Sequence, residues 1–152
     1  MKTGGEFMQR MWIALAALCL SINAMAGELD FDQLKGKVVY VDFWASWCGP
    51  CRSSFPWMED MHKKYAAQGL EIVAINLDQE PELAQKFLQE YPATFRIEYD
   101  SEGEIAEQFK VETMPTSFLI DCSGKARIKH KGFHVNKVQG YEQEIQQLLG
   151  ES

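Results

Sequence analysis

Residues 38–51 read VVYVDFWASWCGPC, and this stretch indicates both the architecture and the chemistry of the chain. Its first part, Val38–Trp44, is a continuous run of mainly β-branched and aromatic residues, which predicts a central strand covered on both faces. Its second part places Cys48 and Cys51 with two residues between them, where the strand is expected to give way to a helix. Two thiols at this spacing can close a disulfide and reopen it, so the sequence predicts a redox-active pair.

Two other uses of such a pair are a structural zinc site and an inert structural disulfide. A tetrahedral zinc site needs four ligands, usually a second cysteine pair or closely spaced histidines. The remaining candidate ligands are scattered along the chain and form no such cluster: Cys19, Cys122, His62, His130 and His134. We therefore expect no metal site and favour the redox interpretation.

The composition is that of a globular chain with one domain. Of the 152 residues, 46% are hydrophobic and 24% are charged, and there is no repeat or low-complexity tract. The formal net charge is −7, and no cluster of lysine or arginine offsets it. This charge argues against a nucleic-acid-binding surface.

The start of the chain differs in kind from the rest. Lys2 and Arg10 give a basic start, residues 11–20 form a short apolar block, and the segment that ends at Ala26 has an A-x-A pattern. These features predict a secretory signal peptide over residues 1–26, followed by an exported, periplasmic domain over residues 27–152. The apolar block is shorter than the ~20 residues of a typical membrane span, but the sequence leaves an uncleaved N-terminal anchor open.

Export also bears on how the cysteines are used. Removal of residues 1–26 takes away Cys19 and leaves Cys48, Cys51 and Cys122. An odd number of thiols with a single C-x-x-C pair, in an exported chain, indicates an active redox pair rather than a disulfide scaffold. Cys122 falls in a predicted turn, and we expect no part for it in the chemistry.

Strand-like and helix-like segments alternate through the remainder of the chain. A helix is expected from Pro50 to about Gln68, with a kink at Pro56 and Gly69 as its stop. The other expected elements are a strand over Glu71–Leu77, a helix over Pro81–Tyr91 with Leu83, Phe87, Leu88 and Tyr91 on one side, a strand over Phe95–Tyr99, a helix over Ile105–Phe109, a hairpin of Thr116–Asp121 and Ala126–Lys131, and a terminal amphipathic helix through Val138, Tyr141, Ile145, Leu148 and Leu149. Together they predict an α/β fold in which a mixed sheet carries helices on both faces. A C-x-x-C pair beside a β-α-β pattern is typical of thioredoxin-like chains.

Three stretches of this sequence resemble the thioredoxin superfamily. Residues 41–52, VDFWASWCGPCR, closely resemble its active-site segment, and Gly36-Lys37 and Met114-Pro115-Thr116 fit its pattern before two of the strands. The long segment between the second strand and the helix that ends at Phe109 resembles the insertion of exported TlpA/ResA/DsbE-type thioredoxin-like proteins. The resemblance covers residues 29–149 and implies a thioredoxin fold with a TlpA-like insertion.

The resemblance implies a thiol-disulfide oxidoreductase whose redox group is the Cys48–Cys51 disulfide itself, with no further cofactor. Cys48 would be the exposed, attacking thiol, because the N-terminal end of a helix stabilises a thiolate. Cys51, shielded one turn into the helix, would then attack Cys48 and release the reduced substrate.

Asp42 matches the buried acid of thioredoxins, a position that many exported relatives fill with Asn. On a strand covered on both faces it would be a desolvated carboxylate with a raised pKa, able to accept the proton of Cys51. A partly solvated Asp42 without a catalytic part is the alternative. Ser54 stands where ResA-like relatives often carry a glutamate, and a hydroxyl cannot replace that base.

The family resemblance also implies a substrate surface around the cysteine pair. Pro115 would be a cis proline that faces the pair and bares the backbone of Met114 for an extended substrate segment, with Met114 and Thr116 adjusting the fit. Trp47, Gly49 and Pro50 would form an exposed platform for partners, whereas Trp44 belongs to the core. These substrate-binding candidates are Trp47, Gly49, Pro50, Met114 and Thr116.

Gly49-Pro50 between the cysteines resembles the reducing members of the superfamily. We therefore expect a monomeric protein that reduces disulfides of client proteins and is recharged by a membrane electron donor of the DsbD or CcdA type. Two alternatives stay open: a disulfide oxidase or isomerase, and a Cu(I)-binding protein that delivers metal through its dithiol.

Overall fold

The structure is a computed structural model and describes residues 31–152, with side-chain positions from residue 33 onward. The predicted signal peptide over residues 1–26 lies outside the described residues. Within residues 31–152, no helix combines the length and the apolar character needed to cross a membrane.

Strands and helices alternate along most of the described chain. The five strands are β1 (Val38–Trp44), β2 (Leu70–Asn76), β3 (Arg96–Tyr99), β4 (Thr116–Ile120) and β5 (Ala126–Lys131). The four α-helices are α1 (Cys51–Tyr65), α2 (Pro81–Glu90), α3 (Glu104–Gln108) and α4 (Val138–Gly150). Short 3₁₀ turns lie at Phe31–Leu34, Ala66–Gln68 and Val135–Lys137.

The strands form one mixed sheet in the order β3-β2-β1-β4-β5. β1 pairs in parallel with β2 and antiparallel with β4, so it is the central strand, and all seven of its residues are buried. The segment after β2 supplies helix α2 and the edge strand β3, which pairs in parallel with β2. The predicted α/β fold with a central mixed sheet is therefore confirmed, and the inserted segment extends one edge of that sheet.

Side chains alternate between the two faces of β1, and each face has its own core. Tyr40 and Trp44 pack on the face covered by α1, α2 and α4, where Trp44 lies 4.6 Å from Phe55 and 4.8 Å from Phe87 between ring centroids. Phe43 and its neighbours pack on the opposite face, under α3 and the first 3₁₀ turn. Asp42 has the same parity as Tyr40 and Trp44, so this carboxyl lies in the helix-covered layer that also holds the cysteines.

The predicted element boundaries agree with the structure to within a few residues, with one error on α2. Leu83 was expected on one side of this helix with Phe87, but it is 42% exposed, while Ala84 and Phe87 face the core. Leu83 instead lines a surface cavity with Ser46 and Arg52 at the end of the sheet that carries the cysteines. Helix α1 continues through Pro56 as an uninterrupted helix.

Candidate active site

The cysteine pair lies where β1 passes into α1. Cys48 and Cys51 form a disulfide with their Cα atoms 5.4 Å apart, and Cys51 is the first residue of α1. The expectation that Cys48 is exposed is wrong for this oxidised state, because it is only 3% exposed and Cys51 is 0% exposed. The Cys48 sulfur is bonded to the sulfur of Cys51 and therefore points toward the first helical turn. Cys48 is still the only member of the pair with accessible surface.

A tight turn carries the chain from the strand into the helix. The Cys48 N–H donates to the Ala45 carbonyl at 3.0 Å, and the Arg52 N–H donates to the Gly49 carbonyl at 3.1 Å. Pro50 takes the N-cap position with φ −62°, where its missing N–H costs no helical hydrogen bond. Gly49 and Pro50 are exposed, and Trp47 is 69% exposed, so these three predicted platform residues lie on the surface around Cys48.

A buried carboxylate fixes the loop that precedes the cysteines. Trp44 and Asn76 are paired at the carboxyl ends of the parallel strands β1 and β2, so Ser46 and Asp78, each two residues further on, meet beyond the sheet. Asp78 accepts hydrogen bonds from the Ser46 N–H and hydroxyl, both at 2.9 Å, and from the Asn76 amide at 2.8 Å. This clamp was not identified from the sequence because it depends on the pairing of two distant strands.

Replacement of Asp78 by alanine is expected to destabilise the fold by about 2–4 kcal/mol. The substitution leaves the Ser46 N–H and the Asn76 amide without their acceptor in a buried place, and such orphaned donors are costly. Urea unfolding of the oxidised protein measures this loss. Ser46→Ala removes only the hydroxyl bond and should cost about 1 kcal/mol. Equal losses in the two variants would contradict the clamp.

Asp42 lies on β1 in the same layer as the cysteines. It is 1% exposed, and its Oδ2 atom has no hydrogen-bond partner among the described residues. Burial raises the pKa of the Asp42 carboxyl well above its ordinary value, because the charged form loses its hydration without a compensating cation. The alternative of a partly solvated Asp42 is therefore wrong. A carboxyl in this state is suited to accept a proton from a neighbouring thiol.

Pro115 reaches the same edge of the sheet from β4. Phe43 pairs with Thr116 across the antiparallel β1–β4 ladder, so Pro115 lies beside the carboxyl end of β1. The Met114–Pro115 peptide bond is cis, as predicted. The backbone N–H and C=O of Met114 make no hydrogen bond within residues 31–152, which leaves both groups available for an added strand.

Thr116 differs from the other predicted substrate-binding residues. It is fully buried, and its hydroxyl donates to the Thr113 carbonyl at 2.6 Å. The prediction of a direct substrate contact is wrong, because Thr116 begins β4 between two paired strands and no partner can reach its side chain. Its hydroxyl instead holds the loop that presents Met114 and Pro115.

Four further polar residues were not identified from the sequence. Tyr40 donates from its hydroxyl to the Ser117 hydroxyl at 2.9 Å, and Ser117 Oγ lies 3.5 Å from Nδ1 of His130. His130 Nε2 in turn lies 2.9 Å from a carboxylate oxygen of Glu144. The one signal in the sequence for this group was Tyr40, a polar side chain two residues before Asp42 in an otherwise apolar strand. Residues two positions apart in a strand lie on the same face of the sheet, so Tyr40 could have been placed beside Asp42.

Metal ligands do not gather anywhere in the described part of the chain. In residues 31–152, no three side chains of histidine, cysteine, aspartate or glutamate lie close enough together to hold an ion.

Ser54, at the position where ResA-like relatives often carry a glutamate, is buried, and its hydroxyl donates to the Cys51 carbonyl at 3.2 Å. Cys122 is a free, half-buried thiol in the β4–β5 turn.

Comparison with known proteins assigns the chain to a family. The Redoxin family profile matches residues 18–149. The thiol-disulfide oxidoreductase ResA of Oceanobacillus iheyensis is 34% identical over 136 residues, which cover 86% of this chain and 71% of the relative. ResA of Bacillus thuringiensis subsp. konkukian is 36% identical over 125 residues, which cover 82% of this chain and 72% of the relative.

Solved structures agree with this assignment. A Chlorobium tepidum protein assigned as the thiol:disulfide interchange protein DsbE superimposes with a TM-score of 0.77 at 48% identity, over 79% of this chain and 85% of the other. StoA of Bacillus subtilis gives a TM-score of 0.63 at 27% identity, over 72% of this chain and 82% of the other. The chain therefore belongs to the Redoxin family and is a thiol-disulfide oxidoreductase of the thioredoxin superfamily, similar to ResA and DsbE.

Proposed function

We propose that this protein reduces disulfides of client proteins in the periplasm, with the Cys48–Cys51 dithiol as its electron source and no additional cofactor. One observation carries the proposal: a fully buried Cys51 shares the layer beneath Cys48, the member of the pair with accessible surface, with Asp42, whose Oδ2 atom has no hydrogen-bond partner among the described residues. This arrangement suits a dithiol that attacks outward and is resolved inward.

In the first step, the Cys48 thiolate attacks one sulfur of the client disulfide. A new bond joins Cys48 to that sulfur, the client disulfide breaks, and the leaving client thiolate takes a proton from solvent. The N–H groups at the start of α1 stabilise the Cys48 thiolate before the attack. No histidine stands between the cysteines, so the helix end acts without an imidazolium at that position.

In the second step, Cys51 loses its proton to Asp42 and attacks the sulfur of Cys48. The Cys48–Cys51 disulfide forms, the mixed disulfide breaks, and the second client sulfur leaves as a thiolate. Two electrons have then passed from the protein to the client. The raised pKa of Asp42 matches the carboxylate to a thiol proton better than an exposed aspartate would be.

The client is expected to bind as an extended segment beside the cysteine pair. The backbone N–H and C=O of Met114, which are unpaired within the described part of the chain, offer two hydrogen bonds to such a segment, in the manner of an added β-strand. Trp47, Gly49 and Pro50 provide the exposed surface on the other side of Cys48. Thr116 contributes by holding the Met114–Pro115 loop rather than by contact with the client.

We infer the cellular setting from the predicted signal peptide. The predicted signal over residues 1–26, or an uncleaved anchor in its place, would bring the domain outside the cytoplasm. A reductase in an oxidising compartment must be recharged, and we propose a membrane electron donor of the DsbD or CcdA type. The acidic net charge speaks against nucleic acid as a partner, and the domain is proposed to act as a monomer.

The reduction potential of the Cys48–Cys51 pair is expected to lie near or below about −250 mV, close to that of reducing thioredoxins. Equilibration in dithiothreitol buffers, followed by tryptophan fluorescence, measures this value. A potential between about −120 and −180 mV would reverse the electron flow and favour an oxidase or isomerase. Stoichiometric Cu(I) binding without disulfide reduction would favour metal delivery instead.

A further inference from the structure

A small cavity opens beside the cysteine pair, between the loop that precedes the cysteines, the first turn of α1 and one side of α2. Its volume is about 240 Å³. Pockets for small molecules typically measure about 300–1,000 Å³, so this cavity has room for one side chain of a partner rather than for a cofactor. We name it the Arg52 cavity, and its lining residues are Ser46, Arg52, Leu83, Lys86, Phe87 and Glu90.

Two cations give the Arg52 cavity its charge. Arg52 is the only charged residue in the segment 43–58, and both it and Lys86 are exposed. Within residues 31–152, neither the Arg52 guanidinium nor the Lys86 ammonium takes part in an ion pair. Glu90 is the one acidic residue among those that line the cavity, so the lining carries a net positive charge on a protein whose formal net charge is −7.

The cavity also has an apolar part. Leu83 is 42% exposed beside the two cations, and the ring of Phe87 lies behind it in the core. A side chain that suits both parts has apolar methylene groups and a negatively charged tip. Glutamate and aspartate meet this description, so the lining is complementary to an acidic side chain.

The cavity and the Met114 backbone lie on opposite sides of the cysteine pair. Ser46 is bonded to Asp78 beyond the end of β2, whereas Met114 precedes β4, and β1 lies between these two strands. Neighbouring strands are about 4.8 Å apart, so β2 and β4 are separated by about 10 Å, which an extended chain spans in about three residues. A client segment that pairs with Met114 and passes over Cys48 therefore reaches the cavity about three residues further along.

We propose that Arg52 and Lys86 select client segments that carry an acidic side chain about three residues from the cysteine that Cys48 attacks. The client carboxylate lies between the guanidinium and the ammonium, and its methylene groups contact Leu83. This inference rests on the proposed function, because it names the class of client that the same site reduces. Arg52 and Lys86 are thus residues that determine specificity and take no part in the exchange of disulfide bonds.

The test compares two peptides that differ only in charge. Each peptide has blocked ends and one internal disulfide, with glutamate or glutamine at the third position before the first cysteine and after the second. The full chain, with Cys19 and Cys122 replaced by serine, is reduced and mixed with each peptide, and tryptophan fluorescence follows its oxidation. We expect the glutamate peptide to react about tenfold faster at low salt, since an exposed ion pair contributes up to about fivefold and two cations act together.

The ratio of the two rates is the readout, because a change in the reactivity of Cys48 itself affects both peptides equally. Arg52→Gln and Lys86→Gln should each lower the ratio to about threefold, and the double variant should bring it to one. Arg52→Lys keeps the charge and should retain most of the preference. Arg52→Glu should reverse the preference, and Glu90→Gln should increase it.

Lys125→Gln is the matched control for net charge. Lys125 is exposed in the β4–β5 turn, at the end of β4 opposite to Pro115, and its loss changes the net charge by the same amount. This variant should keep the full tenfold ratio. About 1 M salt should bring the wild-type ratio close to one, because the Debye length is then only about 3 Å.

Three results would overturn the acidic specificity: equal rates for the two peptides in the wild type, an unchanged ratio in the double variant, or an equal loss of the ratio in Lys125→Gln. In each of these cases both peptides are still reduced, so the proposed function stands. If neither peptide is reduced, the proposed function fails, and the inference fails with it.

Discussion

Replacement of Cys51 by serine is expected to stop the reaction at a mixed disulfide between Cys48 and the client. Cys48 remains in place at the start of α1 and still attacks, but the intramolecular thiol that resolves the intermediate is gone. Because Cys51 is held beside Cys48, its effective concentration is far above that of any external thiol. Without it, turnover should fall by at least about a thousandfold. Mass spectrometry of the protein after reaction with a disulfide-containing peptide measures the trapped adduct.

Cys48→Ser is the matched control for this experiment. It should lose turnover as completely but trap nothing, because Cys51 is 0% exposed and no client sulfur can reach it. Both variants carry serine at Cys19 and Cys122, so that no other thiol captures the peptide. A stable adduct on Cys51 in the Cys48→Ser variant would show that Cys51, and not Cys48, is the thiol that attacks the client first.

The features that were predicted correctly from the sequence are those that local pattern encodes. An unbroken apolar run predicted β1 as the covered central strand, and Gly69, with φ 101° in the left-handed region, ends the turn that follows α1 as expected. The cis bond before Pro115 was predicted from the resemblance and is confirmed. Each of these depends on neighbouring residues or on a recognisable segment.

The errors arose where burial depends on distant parts of the chain. Thr116 looked accessible beside Pro115, but pairing of β4 on both sides covers it completely. Leu83 fitted a helical stripe, yet it lies in the first turn of α2 beside Ser46 and Arg52, at the end of the sheet that carries the cysteines, and remains exposed. Cys48 was expected to be exposed, and the bond to Cys51 draws its sulfur inward.

Asp42, Ser117 and His130 are paired across β1, β4 and β5 and form one polar row, which shows why strand register resists prediction. The β4–β5 ladder shifts between Leu119 and Ile120, so counting residues back from the turn at 122–125 places the partners one residue out. A shift of one residue moves every side chain to the opposite face, and the polar row then disappears. Only the three-dimensional pairing brings the row together.

Replacement of Asp42 by asparagine is expected to slow resolution by Cys51 and to stabilise the fold. Loss of a general base commonly costs about a hundredfold in rate. When the reduced protein reacts with an aromatic disulfide, the coloured thiolate released by the attack of Cys51 should therefore appear about a hundredfold more slowly, while the thiolate released earlier by the attack of Cys48 appears at the wild-type rate. The stability gain arises because burial raises the pKa of Asp42, so that ionising it in the folded state is unfavourable. Each unit of that rise corresponds to about 1.4 kcal/mol at a pH above both pKa values.

The stability advantage of Asp42→Asn over the wild type is expected to grow as the pH rises. Below the ordinary value of 3.8 the carboxyl is protonated in both the folded and the unfolded chain, and the charge makes no difference to stability. As the pH rises above 3.8 the unfolded chain ionises first, so the wild type loses stability relative to Asp42→Asn until the folded pKa is passed. Urea unfolding of the oxidised proteins at about pH 4 and about pH 8 measures the widening difference.

The exposed residue Asp60 supplies the control, since Asp60→Asn should show no such divergence. A stability difference between Asp42→Asn and wild type that stays constant with pH would mean that Asp42 is charged in the folded protein at little cost, and its part as the proton acceptor of Cys51 would then have to be given up.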